Sequence, residues 1–290
     1  MNLMIFGAGF SGKAIGQRFA EAGFSVNGTS RSPAKAEALA GLGITPLVFD
    51  GNEFSTPLLA AMAQTTHLVQ SIAPGRDGDP LLRLTGGDLK TVMPKLQWIA
   101  YLSTVGVYGD HQGAWVDEET DCKPVSDRSV ERVEAEQAWA EASAACSLPL
   151  AVLRLSGIYG PGRNGFVNLA EGNARRLVKK DQVFNRIRVE DIAAATLFLA
   201  DRLESGIFNI TDHEPAPPQD VVAEAARLMG AEPPPEQAFE TAELSPMARS
   251  FYGENKRVRN EKIRTLGFSF TYPDYRVSLS QLWTSGRWRG

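Results

Sequence analysis

The sequence predicts an α/β fold, a doubly wound parallel sheet of six strands carrying a small C-terminal α/β cap. Three observations lead there. Short apolar runs alternate with amphipathic stretches over the first hundred residues, a glycine-rich turn joins the first run to the first amphipathic stretch, and the texture becomes interrupted after residue 160. In order, strands are expected at 2–6, 24–29, 44–49, 67–72 and 97–102, with helices between them at 12–22, 33–41, 55–64 and 80–93. Strands alternating with single helices imply right-handed crossovers and parallel pairing. A long helix is expected over 129–146, ending before Ser147-Leu148-Pro149 because proline cannot continue it, and a sixth strand follows at 150–155. Farther on, 160–165 reads as a loop, 190–203 as a helix, 206–210 as a short strand opening the cap, and 217–229 as a helix. Three successive prolines, Pro233 to Pro235, make 231–237 an extended connector. The division expected is a first domain of 1–160 with parts of 185–212, and a cap of 161–184 with 213–290.

Composition narrows the class. The chain has 290 residues, 43% hydrophobic and 22% charged, enough to bury a core without staples. A formal charge of −4 gives nothing that draws the whole molecule to nucleic acid or an anionic membrane. No apolar run approaches the ~20 residues of a membrane span, and the strand-like 2–6 leaves no room for a leader peptide. Cys122 and Cys146 form no disulfide framework, and His67, His111 and His213 have no partner at metal-ligand spacing. A cytoplasmic protein without a bound metal is expected. His67, opening a strand, reads as structural.

The strongest local signal is Gly7-Ala-Gly9-Phe10-Ser11-Gly12, directly after a strand and directly before a helix. Gly7 permits the tight turn, Gly9 lets backbone approach a pyrophosphate, and Gly12 lets helix and strand pack closely. Amides at the helix start then face the anion. Gly7 to Lys13 also matches seven positions of a Walker A loop, but Ala14 stands where the magnesium-binding hydroxyl belongs, so an ATPase reading is poor. At the end of the second strand, Ser30 and Arg31 replace the acidic residue that would bind a ribose 2′-hydroxyl. A cation and hydroxyls suit a 2′-phosphate, so NADP(H) is favoured over NAD(H).

Further landmarks follow at ordered intervals: Tyr101-Leu-Ser-Thr104-Val-Gly-Val-Tyr108-Gly109, Arg154-Leu-Ser-Gly-Ile-Tyr159-Gly-Pro-Gly-Arg163, and Asn185-Arg-Ile-Arg188-Val-Glu-Asp191-Ile192. With the glycine loop and Gly206-Ile-Phe-Asn209-Ile, they resemble the extended short-chain dehydrogenase/reductase family of the NAD-dependent epimerase/dehydratase type, over nearly the whole chain. The resemblance implies a Rossmann-type nucleotide-binding domain. It puts Thr104 at the position that bonds the substrate oxygen, Ile72, Ala73, Pro74 and Ser103 along the cofactor, Asp50 near the adenine, and Leu155 and Ser156 beside the nicotinamide. In related proteins the helix over 129–146 builds a dimer seam, so a homodimer is expected through the interrupted stripe Val130, Val133, Gln137 and Trp139.

One departure matters most. The family's working pair, Tyr-x-x-x-Lys, aligns with Arg128 and Arg132, and no tyrosine lies between Tyr108 and Tyr159. Arg132 can still hold a ribose, whereas Arg128 stays charged and cannot replace a phenol as proton donor. Lys256-Arg-Val-Arg-Asn260 and Tyr272-Pro-Asp-Tyr275 complete the likeness to an atypical bacterial branch. Tyr108 or water is then the candidate proton donor. Arg128, Arg163, Asn164, Arg186 and Arg188 are the expected substrate groups, and the arginines among them suit a small polar or anionic substrate. Two functions remain open: an NAD(P)-dependent oxidoreductase or nucleotide-sugar epimerase/dehydratase-like enzyme with a non-standard proton donor, and a non-catalytic NADP(H)-binding sensor or regulatory protein.

Overall fold

The structure, a computed structural model, describes the backbone of residues 1–290 and the side chains of 1–245 and 249–290. Its strands are β1 Asn2–Phe6, β2 Ser25–Ser30, β3 Ile44–Val48, β4 His67–Gln70, β5 Trp98–Thr104, β6 Trp115–Val116, β7 Leu150–Leu155, β8 Gly157–Tyr159, β9 Arg176–Val178, β10 Arg186–Arg188, β11 Gly206–Ile210, β12 Glu236–Ala238 and β13 Arg257–Val258. Its helices are α1 Phe10–Glu21, α2 Pro33–Glu37, α3 Thr56–Met62, α4 Pro80–Thr85, α5 Leu89–Val92, α6 Asp127–Ala145, α7 Gly165–Ala170, α8 Val189–Ala200, α9 Pro218–Met229, α10 Pro246–Phe251, α11 Glu261–Thr265 and α12 Tyr275–Thr284.

The central sheet runs β11-β7-β5-β4-β1-β2-β3, with parallel pairing of β1 to β2 and β4, of β2 to β3 and of β4 to β5. Strand order reverses at β1, which makes the sheet doubly wound as expected. It has seven strands rather than six, because 206–210 joins its edge beside β7 instead of opening a cap. Periodicity could identify that segment as a strand but not its partner. The single helix expected over 80–93 is two. Gly86 and Gly87 both adopt positive φ, Gly86 ends α4 in the left-handed conformation, and Asp88 caps α5.

Contacts divide the chain into two compact units. The first comprises Met1–Val107, Pro124–Arg154 and Ile192–Phe208; the second comprises Tyr108–Lys123, Leu155–Asp191 and Asn209–Gly290. In the first unit, Phe6 meets Phe49 edge-on at 5.1 Å and Tyr101 stacks on Trp139 at 6.0 Å. Helix α6 is capped by Ser126 and buries Ser129, Ala135, Glu136, Trp139, Ala142 and Ser143. Of the stripe expected at a dimer seam, Trp139 is fully buried within this chain and Val130 is 40% exposed. Helical spacing from Trp139 selects 135, 136, 142 and 143, and the apolar character of Val130 does not override it.

A buried carboxylate organises this side of the sheet. Asp79 caps α4 by accepting the Leu81 and Leu82 amides, and also accepts from Gln70 of β4 and the Trp139 indole of α6. Burial raises its pKa, against the pull of those four donors. His67 is buried between Phe24 and Trp98, with Nδ1 2.9 Å from the Thr66 hydroxyl. The second unit contains three two-stranded parallel ladders, β8–β10, β9–β12 and β6–β13. The β9–β12 ladder takes up the last residues of the proline-rich connector. A separate core forms around Phe166, Tyr275, Leu279 and Leu282.

Candidate nucleotide-binding and substrate groups

The glycine loop has the geometry its spacing predicts. Gly7 lies at φ 87°, where a side chain is strained, and a Cβ there would stand 3.0 Å from Ile72. At Gly12 a Cβ would come within 2.8 Å of the Gly7 carbonyl oxygen, so α1 could not approach β1 as closely. A Cβ at Gly9 would meet nothing within 4 Å, and this is where an incoming group has room. No side chain caps α1 and its first turn holds no acidic residue, so no competing anion occupies the positive end of the helix. The loop is held from β2: Thr29 accepts the Gly7 amide on its hydroxyl at 3.0 Å and the Ala8 amide on its carbonyl at 2.8 Å. Thr29 was not expected in this role; a hydroxyl ending the second strand was its only signal. These features fit a dinucleotide pyrophosphate.

Around the loop, Ser30 is half-buried and Arg31 exposed at the end of β2. The β4 exit passes along the loop, with Ile72 against Gly7, Ala73 exposed and Pro74 buried. Asp50 is exposed and accepts from the backbone and side chain of Asn52, bonds that lower its pKa.

At the end of β5, the Thr104 hydroxyl oxygen accepts the Gly106 amide at 3.1 Å and keeps its own hydrogen for another acceptor. Arg132, one turn into α6, donates through Nη1 to the Leu102 carbonyl at 2.7 Å and to the Tyr101 hydroxyl at 3.3 Å. The guanidinium is therefore held at β5 by Leu102 and Tyr101, while Arg128, a turn earlier, is exposed. Behind them lies a network that motif reading missed. Glu136 accepts from Ser103 and pairs with Arg154 of β7 at 2.7 Å, with both charged side chains under 10% exposed. Its signal was faint: Glu136 is four residues from Arg132 and three from Trp139, on one helix face.

In the second unit, most expected groups are engaged internally. Tyr108 is fully buried and its hydroxyl donates to Asn209 at 2.8 Å. Asn164 caps α7 by accepting the Phe166 and Val167 amides, and its amide nitrogen donates to the Gly160 and Trp288 carbonyls. Arg188 is fully buried, forks onto Glu190, donates to Ser278 and Gln281, and lies 4.3 Å over the Tyr272 ring. Arg163 is exposed and its backbone bridges Gly160. Ser156 is buried with its amide and hydroxyl on the Ile210 carbonyl, and Leu155 beside it is also buried. Arg186 donates through Nη1 to the Phe184 and Ala216 carbonyls.

A seven-stranded doubly wound sheet with a glycine cradle at its first turn defines a Rossmann-type nucleotide-binding protein. A family model described as "NAD dependent epimerase/dehydratase family" matches residues 91–211, and the chain belongs to that family. Among solved structures it is similar to a functionally unknown conserved protein from Silicibacter pomeroyi DSS, at 44% identity over 98% of this chain and 99% of that one, with a TM-score of 0.88. It also shares its fold with dTDP-glucose 4,6-dehydratase from Bacillus anthracis str. Ames in complex with NAD (17% identity, 99% and 97% covered, TM-score 0.77). The human epimerase family protein SDR39U1 with NADPH is a further match (16% identity, 98% and 99% covered, TM-score 0.73). No curated protein matches the sequence. Among the described residues no helix is long and apolar enough to cross a membrane.

Proposed function

We propose that this protein is an NADP(H)-dependent oxidoreductase or nucleotide-sugar epimerase/dehydratase-like enzyme acting on a small polar or anionic substrate, with water in place of a tyrosine as proton donor. The observation that carries the reading is the glycine cradle, open at Gly9 and closed at Gly7 and Gly12. In this reading Gly7, Gly9, Phe10, Ser11 and Gly12 hold the pyrophosphate, and Ser30 with Arg31 selects the 2′-phosphate. Ile72, Ala73, Pro74 and Ser103 flank the cofactor, Asp50 faces the adenine side, and Leu155 and Ser156 the nicotinamide. A nicotinamide, held there, would supply the hydride chemistry, while binding and orientation would fall to the chain. Thr104 directs its hydroxyl hydrogen to the substrate oxygen, and Arg132, fixed by Leu102, holds the ribose. Tyr108 is a poor donor because its hydrogen is already committed to Asn209 in a dry site. A water molecule bonded by Thr104 is the remaining source.

A second reading, a sensor that binds NADP(H) without turnover, is favoured by that same burial of Tyr108. Calorimetric titration with NADPH, NADP⁺, NADH and NAD⁺ tests what both readings share. Binding that prefers the phosphorylated pair supports them, and no binding by any of the four overturns both. Hydride exchange that persists in Tyr108→Phe and is lost in Thr104→Ala supports the enzyme reading.

A further inference from the structure

The buried network around Asp79 reaches the glycine loop. Gln70 ends β4 and is wholly buried, with the Asp79 carboxylate buried beside it. The Gln70 side-chain amide faces two ways. Its Nε2 donates to both carboxyl oxygens of Asp79, at 2.9 and 2.7 Å, and its Oε1 accepts the Ile72 amide at 3.3 Å. Ile72 is the residue packed against Gly7. A Cβ on Gly7 would stand 3.0 Å from both the amide nitrogen and the Cγ1 of Ile72, and 3.2 Å from the Ser71 carbonyl carbon. The β4 exit is thus tied at the tight turn of the loop through one side-chain amide.

The chemistry of its partner decides how that amide is turned. A glutamine amide can turn over, exchanging oxygen and nitrogen, and its hydrogen-bonding neighbours fix the choice. Besides Gln70, the Asp79 carboxylate meets the Leu81 and Leu82 amides and the Trp139 indole, all of which can only donate. Asp79 therefore stands as a pure acceptor, and Gln70 must present Nε2 to it, which leaves Oε1 for Ile72. Turned over, Gln70 would set its oxygen against a carboxylate and its NH2 against the Ile72 amide, losing bonds on both sides in a dry site. We infer that Asp79 is a positioning residue for the nucleotide site: by fixing the Gln70 amide, it holds the Ser71–Ile72 backbone against the Gly7 turn and so keeps the cradle in shape. The role rests on the cofactor reading and adds to it a residue that acts only through Gln70 and Ile72.

The test compares the parent with Asp79→Asn, with Gln70→Met and with the exchanged pair Asp79→Asn/Gln70→Glu. NADPH affinity is read by calorimetry, stability by urea unfolding, and hydrogen exchange at the Ile72 amide by NMR. Asp79→Asn keeps one oxygen for the α4 cap but offers NH2 where Gln70 and Trp139 need an acceptor, so Gln70 is displaced or turns over. Gln70→Met leaves the Asp79 cap and its Trp139 bond in place and removes the hold on Ile72 alone. Each is expected to weaken NADPH by about fivefold or more, the scale of one hydrogen bond, and to speed Ile72 exchange by a similar factor. In the exchanged pair the carboxylate at position 70 accepts from both the new amide at position 79 and Ile72, so affinity and Ile72 protection recover. Stability does not, because the Trp139 indole still lacks its acceptor. A purely structural Asp79 makes affinity follow stability through the whole series; that pattern, or unchanged affinity in Asp79→Asn, overturns the proposal. A parent that protects Ile72 but binds none of NADPH, NADP⁺, NADH and NAD⁺ removes the cofactor reading and this role together. A parent that binds NADPH while Asp79→Asn leaves Ile72 exchange unchanged removes this role alone.

Discussion

The glycine loop of the first unit and the arginine-bearing loops of the second contrast in how far a residue's role can be read from its neighbours in sequence. At Gly7, Gly9 and Gly12 the role is a backbone property, and each position does what its spacing implies. At Asn164, Arg186 and Arg188 the role depends on which acceptors the fold brings near, and those come from residues 288, 216 and 278. A glycine is useful for lacking a side chain, so nothing distant can occupy it. A guanidinium is useful only while its donors are free, and a partner ninety residues away can take them. Counting charges near a loop therefore overstates the charge available to a ligand.

The contrast can be tested by substitutions on each side of it. The largest effect is expected at Glu136→Ala, which strands Arg154 in a buried site. Loss of one partner from such a pair costs about 3–5 kcal/mol, to be read from urea unfolding. A loss below about 1 kcal/mol would mean that the pair behaves as a solvated surface pair.

Next comes Gly12→Ala, whose methyl group must push α1 away from the Gly7 carbonyl. It should cost about 1–3 kcal/mol of stability, the range for overpacking, and weaken nicotinamide-cofactor binding as well. Retained affinity would show that close helix–strand packing is not what shapes the cradle.

On the other side, Asn164→Ala removes a helix cap and should cost about 1–2 kcal/mol while leaving cofactor affinity unchanged. Loss of cofactor binding without loss of stability would return Asn164 to the ligand groups. Arg31→Glu should leave the melting temperature alone and reverse cofactor preference, weakening NADPH by about tenfold or more, or about 1.4 kcal/mol. Equal loss of NADH affinity would show that Arg31 does not read the 2′-phosphate.

The smallest effect concerns pH. Burial raises the Glu118 pKa above its ordinary 4.5 although the carboxylate accepts the Asn209 amide. The folded state therefore binds this proton more tightly than the unfolded state does, and its contribution to stability is present below the unfolded pKa and lost as pH rises through the folded one. Glu118→Gln keeps the acceptor and removes the titration. It should melt slightly higher than the parent at pH 7, with the difference closing as pH falls below about 4.5. A difference that widens on acidification would reverse the assigned direction.

Much of the first unit was legible in the sequence because its signals are local. Strands β1 to β5 and β7 fall close to their expected places, since an apolar run of that length between turn residues has few alternatives. The break between α4 and α5 was written in Gly86-Gly87 and was passed over for the longer apolar period. The Glu136–Arg154 pair could not be read at all, because its partners lie eighteen residues apart on different elements.

By itself, then, the sequence determined the doubly wound sheet, the turn at Gly7 and the close approach at Gly12, all consequences of short-range sterics and periodicity. Tertiary structure alone decided that β11 completes the sheet, that Tyr108 gives its hydrogen to Asn209, and that Arg188 is closed by Glu190, Ser278 and Gln281. The physical reason is one of range. Backbone geometry is settled within a few residues, whereas a polar side chain's free donors and acceptors are settled by whatever the whole chain packs against it.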